Sequence, residues 1–319
     1  MIKDSTIFVS VASYRDPETS MTVNDMLSKA TYPERIFVGI LSQIDRRVES
    51  KYLAPFGRRI RQEVMDYRDS KGVCWARSRI LTKLREREEY VLQIDSHSRF
   101  KPGWDVTVLS MYERLDNNST VISHYPPNYT PGKEINYNDN PFIYFTIKEL
   151  SEPGIPRYSS GILPRVDRAI KHCGTIGVAG GCLFGHRSVF DRVPYDPYLY
   201  FFGEEPSYAL RLYTHGIDIY SPTESFMYHY YNIMNKTHIK DRTLHWEDHE
   251  VKVNNYNRVS FDRLRYLFKL EPIVDKGNLI DIQNYSLGKH RTLEQWQAKL
   301  GIDLKTKYIS DTVKNKIFY

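Results

Sequence analysis

The chain has 319 residues, and 45 basic against 39 acidic side chains leave a net charge of +6 and a pI near 8.9. With 41% hydrophobic and 26% charged residues its composition suits a soluble protein with a sizeable core, which excludes bulk disorder, a collagen-like repeat and a disulfide-stapled miniprotein. No apolar run approaches the roughly 20 residues that span a bilayer.

The opening MIKDSTIFVSVASYRDP is not expected to act as a secretory signal, because its apolar run of about six residues leads straight into charge. A β-branched run, Ile7-Phe-Val-Ser-Val11, predicts a first strand that breaks into the polar turn Ala12-Ser-Tyr-Arg-Asp-Pro17. Residues 20–30 predict a helix with Met21, Met26 and Leu27 for its inner face, and residues 35–41 a second buried strand ending at Ser42-Gln-Ile-Asp45. A helix is expected over 73–88, from Ala76, Ile80, Leu81 and Leu84 at helical spacing. The short strand Tyr90-Val-Leu-Gln-Ile94 then runs into Asp95-Ser-His97. Strands alternating with helices argue for an α/β fold, a parallel or mixed sheet covered by helices.

Residues 125–168 are rich in Pro, Asn, Tyr and Gly, show little periodicity, and are expected to form a long surface excursion. Order resumes at 177–185, an apolar segment broken by Gly180-Gly181. A helix follows over 204–215, with acids at its positive end and Gly216 to stop it, then a strand over 217–220. Residues 261–270 and 292–300 read as helices of a small C-terminal extension. The expected division is a catalytic domain over 1–255 and a helical extension over 256–319. Three cysteines, Cys74, Cys173 and Cys182, are too few and odd in number for a disulfide framework, which points to a reducing, cytoplasmic setting.

Five local patterns bear on chemistry. An acid directly after a hydrophobic strand sits at the carboxyl edge of a sheet, where open α/β folds bind ligands. Asp95 and His97 at i and i+2 can therefore face one divalent ion, or simply form an Asp-initiated turn with a solvent-facing histidine. Imidazole there tilts the choice of metal toward Mn²⁺ over Mg²⁺. Five of ten histidines (His215, His229, His238, His245 and His249) fall within 215–249, and His229 follows a strand from which a third ligand could approach. Gly203-Glu204-Glu205 opens a helix, so its acids either complement the helix dipole or face a substrate. In Gly72-Val-Cys-Trp75-Ala-Arg77 the helix start and Arg77 either hold phosphate or only begin a helix. Gly180-Gly181 marks a close backbone approach to a ligand or a bulge.

Taken together and in order, these segments resemble a GT-A glycosyltransferase, more closely the GlcNAc-transferase family of the Skp1 hydroxyproline enzyme. The matching stretches are Val9-Ser-Val-Ala-Ser-Tyr-Arg-Asp-Pro17, Trp75-Ala-Arg77, Leu92-Gln-Ile-Asp-Ser-His-Ser-Arg-Phe100, Phe202-Gly-Glu-Glu205 with Leu210-Arg-Leu-Tyr213, Ser221-Pro222 leading to His229, and Ser286 to Trp296 with Gly301-Ile-Asp303. The chain departs from the family at Ser98, where methionine is often found, and in its central loop.

The resemblance implies a Rossmann-like mixed sheet that binds a UDP-sugar, most simply UDP-GlcNAc, and transfer with retention at the anomeric carbon. By position, Ala12, Ser13, Tyr14, Arg15 and, more weakly, Asp45 would border the uridine. Trp75 and Arg77 would border the ribose and phosphates. Asp95, His97 and His229 would hold the divalent metal, Mn²⁺ preferred and Mg²⁺ possible, with Asp95 also counted as catalytic. Gly180 and Gly181 would line the sugar side, with Glu204 and Glu205 near the reacting centre. The expected acceptor is a protein or peptide hydroxyl. A hydroxylated base in DNA is the alternative, favoured by basic stretches such as Arg58-Arg-Ile-Arg61. A third reading is a protein that binds nucleotide sugar without turnover.

Overall fold

The computed structural model describes residues 4–55, 57–138, 141–151, 154–163, 173–231 and 243–311. The first half runs β1 (Ile7–Tyr14), α1 (Thr19–Lys29), β2 (Ile36–Ile44), β3 (Ile60–Asp66), α2 (Val73–Lys83), β4 (Tyr90–Asp95), β5 (Ser98–Phe100), α3 (Trp104–Glu113) and β6 (Thr120–Ser123). Next come β7 (Phe142–Ser151), β8 (Ile155–Leu163), β9 (Cys173–Gly174), β10 (Cys182–His186), α4 (Arg187–Arg192), α5 (Glu204–Thr214), β11 (Asp218–Ser221) and β12 (Met227–His229). Then come α6 (His245–Asp248), α7 (Glu250–Phe268), α8 (Leu293–Leu300), β13 (Ile302–Asp303) and β14 (Tyr308–Ile309).

Eight strands form one sheet in the order β3-β2-β1-β4-β10-β6-β11-β9. The first four are parallel, while β10 runs antiparallel to both β4 and β6. Strand order reverses between β1 and β4, and open α/β sheets bind ligands in the crevice outside the carboxyl ends of such neighbours. Three smaller pairs, β5 with β12, β7 with β8 and β13 with β14, lie outside this sheet.

Alternation along β1 explains the two layers of core. Ile7, Val9 and Val11 face α1 and α3 through Val23, Met26, Trp104 and Val108, whereas Phe8 turns to α2 and α5 through Ile80, Leu81, Ala209 and Leu212. A third core joins α5, α7 and α8 to the β7–β8 hairpin through Leu210, Leu264, Phe268, Trp296 and Phe145. Among the described residues no helix is long and apolar enough to cross a membrane.

Several elements differ from the sequence expectation. The stretch 125–168, expected as an excursion without regular structure, contains the β7–β8 hairpin, whose Phe142, Phe145, Ile147 and Ile155 are buried. Helix α2 ends at Lys83 rather than 88. There Arg61 donates to the Leu84 carbonyl at 2.8 Å and to Glu88 at 2.6 Å, and Glu88 accepts from the Glu86 amide, so side chains replace the helical ladder. Helix α7 begins at Glu250, eleven residues before the expected 261, with an exposed first turn that carries Val251. It runs through the division expected at 255/256. The edge strand β3 had no expectation, because all seven of its residues are half-buried and offer no alternation.

Candidate active site

Asp95 is the last residue of β4 and lies in register with Ala12 of β1, so both sit at the crevice where strand order reverses. The turn after it leads into β5, which pairs with β12 so that Ser98 lies opposite His229. That pairing carries His229 across 132 positions to lie beside His97, with ring centroids 4.7 Å apart. One ligand atom each from Asp95, His97 and His229 lie within 4.8 Å of one another. His229 Nε2 is 2.9 Å from Asp95 Oδ2, and Arg77 Nη2 donates to Asp95 Oδ1 at 2.6 Å. Burial pushes the Asp95 carboxyl up, but the His229 hydrogen bond and the charges of Arg77, His229 and His97 outweigh it and hold the group well below the usual carboxylate range. It therefore stays ionised, as a metal ligand must.

Two glycines leave room for this cluster. A Cβ on Gly181 would stand 2.5 Å from Asp95 Oδ2, and one on Gly180 would strike the Arg77 guanidinium. Arg77 is itself buried and pairs through its other nitrogen with Glu204, at the first turn of α5. The next residue, Glu205, accepts from the Gly180 amide at 2.9 Å and from the Tyr125 hydroxyl. Burial raises its carboxyl to about 7, against partial relief from those two donors.

Of the residues expected to form the site, Ala12, Tyr14, Arg77, Asp95, His97, Gly180, Gly181, Glu204, Glu205 and His229 line one cleft of about 710 Å³. Four others do not reach it. Ser13 alternates with Ala12 and Tyr14 and is buried against Thr19 at 2.7 Å. Arg15 pairs with Glu49 and Asp248 at the margin, its guanidinium over Tyr67 at 4.3 Å. Asp45 accepts three bonds from Arg47 in the turn after β2. On α2, Val73 and Arg77 share the cleft-facing side. Trp75, between them, faces a separate hollow with Lys71, Tyr198, Tyr200 and Asn255.

The structure adds residues that sequence reasoning passed over. Asp16, inside the quoted Val9-to-Pro17 stretch, contacts His97. Its signal was an acid just before a helix start. Tyr125, Tyr158, Phe201, Leu244, His245 and Trp246 complete the outer cleft. His245 bonds Tyr200 at 2.7 Å, and burial beside His249 pushes it down to about 4. His215 caps α5 instead, bonding the Arg211 carbonyl, and His249 bonds the Tyr67 carbonyl. His238 lies outside the described residues. The basic stretch at 58–61 lines a different hollow, behind β3, where Arg61 is neutralised by Glu86 and Glu88.

A family model described as Glycosyltransferase (GlcNAc) matches residues 6–51 and 45–306, nearly the whole chain. Among solved structures, the chain is similar to a crystal structure of GalNAc-T7 with UDP, GalNAc and Mn²⁺, with a TM-score of 0.60 and 15% identity. The likeness covers 95% of this chain and 58% of that one, and at such identity it concerns the fold. No curated protein matches the chain.

Proposed function

This chain belongs to the glycosyltransferase (GlcNAc) family and has the GT-A fold, and from that premise we propose that it is a metal-dependent, retaining transferase that moves GlcNAc from UDP-GlcNAc to a hydroxyl of a protein or peptide. The observation that carries this reading is the convergence of Asp95, His97 and His229 at the crevice between β1 and β4. One oxygen and two imidazole nitrogens suit a divalent transition ion, Mn²⁺ ahead of Mg²⁺. The space that Gly181 leaves beside Asp95 Oδ2 fits the same occupant. Such an ion, bound there, would neutralise the charge that develops on a diphosphate leaving group.

The chain's own residues do the rest. The C1–O bond to the diphosphate breaks with its electron pair leaving on oxygen, while the acceptor hydroxyl oxygen bonds to C1 from the same face. Its proton passes to a phosphate oxygen. Positive charge gathers on the sugar ring, and the Glu205 carboxylate, fixed by Tyr125 and Gly180, is the group set to stabilise it. Glu204 acts at one remove, holding Arg77 against Asp95. Arg77 is thus a brace for the metal ligand rather than a free phosphate clamp. The DNA reading leaned on residues 58–61, which share no residue with this cleft. Cys74 and Cys182 are buried free thiols, in keeping with work in a reducing cytoplasm.

The test is release of UDP from a panel of UDP-sugars, with Mn²⁺ and with EDTA. Slow, metal-dependent release from UDP-GlcNAc is expected, and Asp95→Ala should lower it by about 10³-fold. Equal release in EDTA, or full activity in Asp95→Ala, would overturn the reading.

A further inference from the structure

Asp16 is almost fully buried just before α1, and its carboxylate reaches Ser96 and His97 in the turn after β4. One oxygen accepts from the Glu18 amide at 2.9 Å. The other accepts from the Ser96 hydroxyl and meets His97 Nδ1, both at 2.7 Å. With the Asp16 carboxylate ionised, the bond to Nδ1 requires that nitrogen to carry the hydrogen. His97 Nε2 then keeps its lone pair, and the ring can turn only about an axis set by Asp16.

We propose that Asp16 is a positioning residue that fixes the tautomer and ring orientation of His97, so that Nε2 is presented to the divalent ion shared with Asp95 and His229. The inference rests on the metal reading of those three residues. Its support is a carboxylate that bonds through both oxygens, with the imidazole contact at 2.7 Å. A helix cap alone would need only the Glu18 amide. Outer carboxylates on ligating histidines fix their orientation and basicity, and their loss typically weakens metal binding ten- to a hundredfold.

Mn²⁺ binding to the full chain, followed by electron paramagnetic resonance of the free ion, tests this without any turnover. Asp16→Asn should weaken binding about ten- to a hundredfold. Thr19→Val is the control for the fold, because it loses the bonds of Thr19 to Ser13 and to the Asp16 carbonyl but leaves the imidazole contact intact. It should lower thermal stability and leave Mn²⁺ affinity unchanged. Nitrogen NMR of the metal-free protein should find His97 protonated at Nδ1 in the wild type and a tautomer mixture in Asp16→Asn. Equal Mn²⁺ affinity in Asp16→Asn and wild type would overturn the role of Asp16, as would an equal loss in Thr19→Val. So would a wild-type His97 protonated at Nε2. Absence of Mn²⁺ binding to the wild type would overturn the metal reading itself.

Discussion

Along the inner wall of the cleft, charged atoms meet charged or hydrogen-bonding partners: Arg77 lies between Asp95 and Glu204, His97 against Asp16, and Glu205 between Tyr125 and Gly180. Along the outer wall, aromatic rings meet solvent. Phe201 is 55% exposed and Trp246 41%, with centroids 5.4 Å apart. The inner wall grows from strand ends and a helix start of one buried sheet. The outer wall comes from the β7–β8 hairpin, the loop before α5 and the short α6, which Asp248 ties to Tyr14 and Arg15. Charge developing in a reaction is best met by dipoles that need no rearrangement, and the inner wall is built that way. Exposed rings on loops suit a surface that must fit a macromolecular acceptor.

The sharpest way to break the contrast is to remove the brace of the inner wall. Arg77→Ala leaves the buried Glu204 carboxylate and Asp95 without their shared cation. Breaking a buried pair by removing one partner costs about 3–5 kcal/mol, so urea unfolding should register a loss of that order. The double variant Arg77→Met/Glu204→Leu removes both buried charges, and should recover most of the stability without recovering UDP release. If Arg77→Ala unfolds at the wild-type midpoint, the inner wall is not held by charge.

The two walls also differ in how far the sequence reveals them. Asp95 and His97 follow a five-residue hydrophobic run, and the position of such residues at a sheet edge comes from local pattern alone. His229 joins them only through the β5–β12 register, a long-range pairing of two three-residue strands that periodicity cannot detect. Family resemblance supplied that contact. Trp75 lies outside the cleft for a simpler reason: neighbours two apart on a helix point to different sides, and Val73 and Arg77 of that stretch face the cleft while Trp75 does not. The outer wall was hidden by composition. Aromatic and β-branched residues of 142–147 are set among prolines, glycines and asparagines, and α6 is a single turn whose place depends on Asp248 finding Arg15 across the chain.

A pH titration of stability sharpens the inner-wall half of the comparison through Glu205. Burial raises its carboxyl to about 7 from the ordinary 4.5, so between these values the folded chain binds more protons than the unfolded one. Stability then falls as pH rises from about 4.5 to about 7 and levels off above, a loss of up to about 3 kcal/mol. Glu205→Gln should flatten this slope and be the more stable protein at pH 8, while UDP release falls about a hundredfold for want of the carboxylate. Urea unfolding at pH 5 and pH 8 measures the slope. A wild type and a variant with parallel curves would mean that Glu205 is solvated, and that the inner wall is wetter than its contacts imply.

The smallest expected effect separates the walls most cleanly. Phe201 and Trp246 are exposed, so replacing either with alanine should change stability by no more than about 0.5 kcal/mol. Neither touches the Asp95–His97–His229 cluster through any bond described above, and donor hydrolysis should stay within about twofold of wild type, a difference of about 0.4 kcal/mol. Transfer to a peptide acceptor is another matter. An acceptor seated at the cleft mouth would bury ring surface now open to water, and about 50–60 Å² at roughly 25 cal/mol per Å² amounts to about 1.4 kcal/mol, a tenfold rise in acceptor KM when a ring is lost. Paired kinetics of hydrolysis and transfer in Trp246→Ala and Phe201→Ala would measure both. Equal losses in hydrolysis and transfer would assign these rings to the donor side, and the division between a charged wall for the leaving group and an aromatic wall for the acceptor would fall.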